Sequence, residues 1–167
     1  MFRFKCLSII LPLLAIASLY TNAQANTDQK KQDKYSQLQS LINSKKYRFH
    51  ALSATSMRGR TIQLTSEYSI ELNNDTLNVN LPYFGRSYSS DYLATDLSIS
   101  FITTQFDYNT DSSKKSGWEI TIKPKNEPKA NRIDMFVTTS GFCTVQVSSN
   151  SRQPISFYGT FESFHNR

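Results

Sequence analysis

The sequence predicts an all-β protein: an antiparallel β-barrel of about eight strands with one short N-terminal α-helix. Three observations favour this class. Short segments of alternating apolar and polar residues recur from residue 47 onward, turn-forming residues separate them, and no strand-helix-strand rhythm of a parallel sheet is present. A sheet of this many strands usually rolls up or splits, because free edges invite aggregation. A closed or nearly closed barrel is therefore the first expectation, and a two-sheet sandwich the second.

The N-terminal residues 1–25 are typical of a secretory signal peptide. Arg3 and Lys5 supply positive charge, an apolar run follows, and Ala23 and Ala25 are small residues at the positions that a signal peptidase reads. The apolar run is shorter than the roughly 20 residues that a membrane helix needs. We therefore predict export to the periplasm or beyond, cleavage after Ala25, and no transmembrane segment in the mature chain.

The two cysteines indicate neither a lipid anchor nor a disulfide. Cys6 precedes the apolar run, and Ala25 is followed by Asn26 rather than by a cysteine that could be acylated. After cleavage only Cys143 remains, so the fold needs a core rather than a disulfide for its stability. Cys143 has the same alternation parity as Val145, which predicts a buried, inert thiol.

The mature chain is expected to contain a flexible leader and one domain. Residues 26–34 are polar and have no apolar anchor, which is typical of a leader, and residues 35–167 form the predicted barrel domain. The helix is predicted at the start of the domain and ends near Asn43 and Ser44. Its apolar residues recur at helical spacing, at Tyr35, Leu38, Leu41 and Ile42.

Alternation and turn residues place the strands. A hairpin is expected over residues 67–81, with Asn73, Asn74 and Asp75 at its turn. One long strand is expected over residues 97–108, followed by a turn over residues 111–117. The remaining predicted strands cover residues 47–53, 61–64, 118–122, 133–138, 142–147 and 155–161. The 9 tyrosines and 11 phenylalanines offer enough volume to fill such a barrel.

The composition and motifs favour no particular chemistry. The net charge of +6 is spread along the chain without a long basic tract, which argues against a nucleic-acid partner. His50 and His165 are far apart in the sequence, and alternation places His50 on the strand face opposite Phe49. The carboxylates, among them Glu67, Glu71 and Glu162, occur singly, and neither a nucleophile elbow nor a phosphate-binding glycine loop is present. We therefore predict no catalytic residue, no metal ligand and no cofactor, although folding can still bring two carboxylates together.

The stretch LPYFGRSY, residues 81–88, supplies the candidate binding residues. Pro82 lacks an N–H group and marks the end of a strand or an edge, and Gly85 fits a bulge or tight bend. A barrel corner is the favoured interpretation, in which aromatic side chains fill the barrel end and the arginine stacks on one of them. The alternative is the mouth of a binding pocket, with these candidates: Tyr83, Phe84, Arg86 and Tyr88.

Three segments in this order resemble a family of proteins. They are LPYFGRSY, then GWEITIK at residues 117–123, then SGFCTVQVSSNSRQPISFYGTF at residues 140–161. The pattern resembles an uncharacterised family of exported proteins and lipoproteins from Bacteroidetes-type bacteria, classed as a domain of unknown function. The resemblance implies a calycin-like barrel related in shape to lipocalins and a location in the cell envelope. It implies no activity and transfers no catalytic residue.

Three functions remain open from the sequence. The first is a non-catalytic binding module that holds a small apolar ligand or docks on an envelope partner. The second is a structural or interaction protein with a solid core that acts through its surface. The third, least favoured, is a hydrolase of envelope polymers, which requires two titratable groups converging in a concave site. The oligomeric state has no signature in the sequence.

Overall fold

The computed structural model describes residues 29–85, 98–113 and 117–164. In this part of the chain one helix, α1 (residues 29–44), precedes nine strands. The strands are β1 Lys46–Ser56, β2 Thr61–Asn73, β3 Thr76–Pro82, β4 Ser98–Thr103, β5 Phe106–Ser113, β6 Gly117–Pro124, β7 Arg132–Val137, β8 Phe142–Ser148 and β9 Ile155–Ser163. Within the same residues, no helix is long and apolar enough to cross a bilayer.

All nine strands belong to one antiparallel sheet in the order β4-β3-β2-β1-β9-β8-β7-β6-β5. The two edge strands, β4 and β5, follow each other directly in the chain. The sheet curls into a half-barrel, so that one short connection reaches from one edge to the other. This confirms the predicted all-β, antiparallel, calycin-like class with a single N-terminal helix.

The core fills the concave side of the curled sheet. Alternate residues of each strand are buried: in β1, Tyr47, Phe49 and Ala51 lie inside. Trp118 and the isoleucines of β6 and the valines of β8 continue the same apolar cluster, so aliphatic side chains share the interior with the aromatic ones. The interior is therefore filled by aliphatic and aromatic side chains together, rather than by aromatic side chains alone.

Helix α1 packs on this core through one apolar stripe. Leu38 and Ile42 are each 3 % exposed, and the Tyr35 ring lies 4.8 Å from that of Trp118 between ring centroids. The helix ends at residue 44, as predicted, and Lys45 follows with a φ of 52°. It begins at residue 29, however, so residues 29–34 are not a leader. Lysine and glutamine favour helix even where no apolar residue anchors them.

The predicted long strand over residues 97–108 is two strands, β4 and β5. The chain bends at Thr104 and Gln105, where the Gln105 N–H donates to the Thr103 hydroxyl oxygen at 3.1 Å. The bend carries the chain from the β4 edge to the β5 edge of the sheet. Periodicity does mark it, because the inward-facing residues change from odd-numbered positions in β4 to even-numbered positions in β5. The strand β5 also extends to Ser113, into the stretch predicted as a turn.

The other hairpins agree with the sequence. Asn74, with a φ of 55°, lies in the turn between β2 and β3, whose register pairs Leu72 with Leu77. The two predicted strands over residues 61–64 and 67–72 are joined in β2. The register of β1 shifts between Ala51 and Ser53, both against β2 and against β9.

Among the described residues, two basic side chains cover part of the β4 edge. The Lys129 Nζ donates to the Ser100 carbonyl at 3.3 Å, and the Arg152 Nη1 donates to the Ser98 carbonyl at 3.0 Å. Lys129 lies in the connection between β6 and β7, and Arg152 lies in the connection between β8 and β9. They satisfy backbone acceptors that an exposed edge would leave to water or to another chain.

Candidate functional site

The outer, convex face of β1 carries polar residues because they alternate with the buried ones. Arg48 lies between Phe49 and Tyr47 in sequence, and its register partners are Glu71 on β2 and Glu162 on β9. The Arg48 guanidinium contacts the Glu71 carboxylate at 2.7 Å, and the Asn78 side-chain amide donates to the other Glu71 oxygen at 3.3 Å. One polar row therefore crosses four strands, β3, β2, β1 and β9.

A second polar row lies two residues further along β1. His50 pairs with Ser69 on β2 and with Thr160 on β9, and Ser69 pairs with Asn80 on β3. Successive residues on one face are about 7 Å apart along a strand. The second row therefore lies directly beside the first.

Together the two rows form an open groove on the outer face, which we call the outer groove. It encloses about 430 Å³ and carries three carboxylates, one guanidinium and one imidazole. With a neutral histidine, these side chains sum to a negative charge, whereas the whole chain is basic. The lining residues are Arg48, His50, Glu67, Ser69, Glu71, Asn78, Asn80 and Glu162.

Arg48, which supplies the guanidinium of the outer groove, is largely enclosed. Its side chain is 25 % exposed, and its carbon Cζ lies 5.9 Å from the centre of the Phe164 ring. The Nε atom is buried and, among the described residues, makes no hydrogen bond. Glu71 has both carboxylate oxygens engaged, one by Arg48 and one by Asn78. The arrangement fixes this pair as a rigid floor of the groove.

An aromatic ridge borders the outer groove on β8 and β9. The rings of Phe142 and Tyr158 lie 5.7 Å apart between centroids and within 14° of parallel. Phe142 is 41 % exposed and Tyr158 is 46 % exposed, so both rings face solvent from the middle of the sheet. Thr160 is the register partner of both His50 and Phe142, which makes it the link between groove and ridge. We call Phe142 and Tyr158 the outer ridge.

Of the four predicted corner residues, the structure describes Tyr83 and Phe84. Tyr83 is buried: its hydroxyl donates to the Gln153 carbonyl at 3.2 Å, and the Arg152 guanidinium lies 5.1 Å from its ring centre. Phe84 is 42 % exposed. Arg86 and Tyr88 lie outside the described residues, so a pocket mouth formed by the four remains a prediction.

Two contacts of the corner were not predicted from the sequence. Arg152, from the connection between β8 and β9, stacks on Tyr83, whereas the predicted stacking residue, Arg86, lies outside the described residues. Gly85 lies in a bend, as predicted, without a positive φ; a Cβ atom there would collide with the Tyr83 phenol, so close packing favours the glycine. Pro82 ends β3, as its missing N–H group predicts.

The interior offers packing rather than reactive groups. Cys143 is buried, as predicted, and burial raises the pKa of its thiol far above the usual value, which keeps it protonated and inert. The Tyr47 and Tyr108 hydroxyls approach to 3.5 Å inside the barrel. Over the described ranges, no three His, Cys, Asp or Glu side chains gather as ligands of a metal.

Sequence reasoning placed the outer-groove residues singly and missed the groove. Alternation put His50 on the face opposite Phe49, which the structure confirms, and it listed Glu67, Glu71 and Glu162 as isolated carboxylates. Only the register of four strands brings these groups together. The sequence did contain one signal for the groove. In β1, β2 and β3 polar residues alternate with apolar ones, so each strand contributes polar side chains to one face of the sheet.

Comparison with protein families decides the relationship of the chain. A family model described as a domain of unknown function, DUF4251, matches residues 29–161. The chain belongs to the DUF4251 family. Comparison with curated proteins gives no match. This agrees with the part of the resemblance that concerned a domain of unknown function.

A solved structure supports the fold. The chain is similar to the crystal structure of a DUF4251 family protein from Bacteroides eggerthii, with a TM-score of 0.58 and 13 % sequence identity. The match covers 78 % of this chain and 87 % of that chain. At this identity the likeness concerns the fold alone.

Proposed function

We propose that this DUF4251 protein is a non-catalytic binding module of the bacterial cell envelope that acts through the outer face of its sheet. The observation that carries the proposal is the juxtaposition of the outer groove with the outer ridge on adjacent central strands. Rigid strands hold both features, and a binding site on strands is more precise than one on loops.

The filled interior favours a surface over an internal chamber. The buried side chains of α1 and of every strand except β5 form one continuous cluster, and Phe106 and Tyr108 of β5 pack against it. The outer groove is open to solvent and lined by polar side chains. The groove beside α1 is open as well, and Leu38, Leu41 and Phe161 give it a largely apolar lining. A small apolar ligand held inside the barrel, as in lipocalins, therefore has less support than the solid-core interaction protein that the sequence left as its alternative.

The location outside the cytoplasm rests on the signal-peptide pattern of residues 1–25. We propose that the mature protein is periplasmic or secreted, and that it is not lipid-anchored, because Asn26 occupies the position after the expected cleavage site. Mass spectrometry of the mature N-terminus from the native host distinguishes cleavage after Ala25 from an acylated terminus.

A hydrolase of envelope polymers has weaker support. The outer groove does place carboxylates of β2 and β9 on either side of Arg48. Glu71, however, has one carboxylate oxygen held by Arg48 and the other by Asn78, so neither is left to act on a substrate. Binding without turnover is therefore the better interpretation of this face.

Cosedimentation with isolated cell envelopes tests the proposed function. We expect the mature protein to pellet with envelopes of a Bacteroides species, and Tyr158→Ala to weaken this association about tenfold, since exposed aromatic anchors dominate many binding surfaces. Met57→Ala is the matched control, because Met57 is 67 % exposed but lies in the turn after β1. Equal pelleting of wild type and Tyr158→Ala would contradict a role for the outer face.

A further inference from the structure

The outer groove and the outer ridge are close enough for one elongated ligand. His50 and Phe142 flank Thr160 on the neighbouring strands β1 and β8. Neighbouring strands are about 4.8 Å apart, so the two side chains start roughly 10 Å from each other. A ligand that lies across the strands can therefore contact the ridge with one unit and the groove with the next.

The backbone of this face is closed to a partner chain. β1, β9 and β8 each have a hydrogen-bonded strand on both sides, so an added strand finds no free ladder. Recognition here must use side chains. These supply acceptors and donors in the groove, from Ser69, Asn78 and Asn80, and flat apolar surface on the ridge.

The same face is a poor match for a protein interface. A stable interface buries roughly 800 Å² per partner and depletes charged residues at its centre. Here Arg48 and three carboxylates occupy the central strands, and the apolar part is limited to the outer ridge and the exposed Leu52 of β1. A ligand that is itself half polar and half apolar fits this division better.

Sugars have this character. One face of a pyranose ring exposes C–H groups that pack on an aromatic ring, and its edge carries hydroxyls that both donate and accept hydrogen bonds. Carboxylates and side-chain amides are suitable partners for such hydroxyls. The excess of carboxylates over cations in the outer groove disfavours a ligand that is itself acidic.

We propose that the outer groove and the outer ridge form a binding site for an uncharged oligosaccharide. A sugar unit stacks on Phe142 and Tyr158, and the adjoining unit hydrogen-bonds to Asn80, Ser69 and His50. This inference rests on the proposed function, since it names the ligand class of the same face.

The test uses the mature chain and pure sugars. Uncharged hexasaccharides (a β-1,4-glucan, an α-1,4-glucan and a β-1,4-linked N-acetylglucosamine oligomer) and an oligogalacturonate of equal length are titrated by NMR and calorimetry. We expect saturable binding of at least one uncharged probe, with a Kd on the order of 100 μM, and shifted amide signals on β1, β2, β8 and β9. The oligogalacturonate should bind at least about tenfold more weakly, since the groove repels its charge.

Variants separate stacking from folding. Tyr158→Ala and Phe142→Ala should each weaken binding of the responsive hexasaccharide about tenfold or more, and Tyr158→Phe should retain it, because the ring and not the hydroxyl carries the contact. Asn80→Ala should weaken it several-fold through the lost hydrogen bond. Met57→Ala should match wild type, and thermal melting of every variant identifies any that is simply unfolded.

Several outcomes would overturn the inference: no uncharged probe binding at millimolar concentration, equal or tighter binding of oligogalacturonate, or binding that Tyr158→Ala and Phe142→Ala leave unchanged. Its failure is distinguishable from failure of the proposed function. If no sugar binds while envelope cosedimentation still depends on Tyr158, the face binds another class of ligand, and only the glycan assignment fails. Release of shorter sugars during the titration would instead support the hydrolase.

Discussion

At the scale of single residues, Tyr47 makes stability depend on alkaline pH. Burial raises the pKa of Tyr47 well above its usual value, and the nearby Tyr108 adds to the rise. The folded state therefore favours the neutral phenol, which stabilises the fold fully below pH 10, the usual value for an unfolded tyrosine. As pH rises beyond 10, the unfolded chain loses this proton and the folded chain does not, so stability falls.

We expect Tyr47→Phe to flatten this alkaline loss. At pH 7 the substitution should cost less than about 1.5 kcal/mol, because the hydroxyl makes only a 3.5 Å contact with Tyr108. Urea denaturation at a series of pH values between 7 and 11 measures both effects. Tyr158→Phe, on the exposed ridge, is the control; identical slopes for wild type and Tyr47→Phe would refute the prediction.

The residues of the corner show how far a short motif can be interpreted. The sequence predicted that Pro82 ends a strand and that Gly85 lies at a tight bend, and the structure shows both. It did not predict the stack of Arg152 on Tyr83, because Arg152 lies 69 positions after Tyr83 in the chain. It also did not predict that the Tyr83 ring leaves no room for a side chain at position 85. Such contacts join residues that are close in space but can be far apart in the sequence.

At the scale of elements, α1 is expected to be an integral part of the core. Leu38 is buried beneath it, so Leu38→Ala should lower the free energy of unfolding by about 2–5 kcal/mol, as other buried leucine truncations do. Gln39→Ala, on the exposed side of the same turn, should change it by less than about 0.5 kcal/mol. Chemical denaturation with a constant slope measures the difference. A cost for Leu38→Ala as small as that of Gln39→Ala would mean that α1 is only loosely docked.

Strand prediction succeeded for faces and failed for continuity. Alternation correctly assigned Phe49 to the core and His50 to the outside, because the side-chain period of two is dictated by the backbone. It did not detect the bend at Thr104, although the inward-facing residues change there from odd-numbered to even-numbered positions. Bulges in β1 and β2 likewise depend on neighbouring strands. Pairing information is absent from a single strand.

At the scale of the whole molecule, the candidate site is a product of register. Arg48 and Glu71 are 23 positions apart, and Glu162 lies far beyond both, yet one row across the sheet places them side by side. The sequence supplies the residue types and their parity, which is why the carboxylates were noted singly. It does not supply the strand order that brings β9 next to β1. The groove therefore became visible only with the complete sheet.

The curled sheet also depends on contacts that reach from one edge to the connection between β8 and β9. Arg152 contributes two of them, a hydrogen bond to the Ser98 carbonyl on β4 and a stack on the Tyr83 ring. We expect Arg152→Ala to lower the free energy of unfolding by about 1–3 kcal/mol, since it leaves a carbonyl without its charged donor. Hydrogen exchange should accelerate most in β4 and at residues 83–85, while β6 and β7 keep their protection.

Arg152→Lys distinguishes charge from shape in this closure. Lysine can still reach a carbonyl with a positive charge, but it lacks the flat guanidinium that packs on a phenol ring. We therefore expect an intermediate loss of protection in β4 and near-complete loss of the Tyr83 contact. Lys129→Ala removes the other donor to the β4 edge and should affect Ser100 and its neighbours alone. If Arg152→Ala left the exchange of β4 unchanged, the half-barrel would hold its curl through the core, and the edge contacts would only cap it.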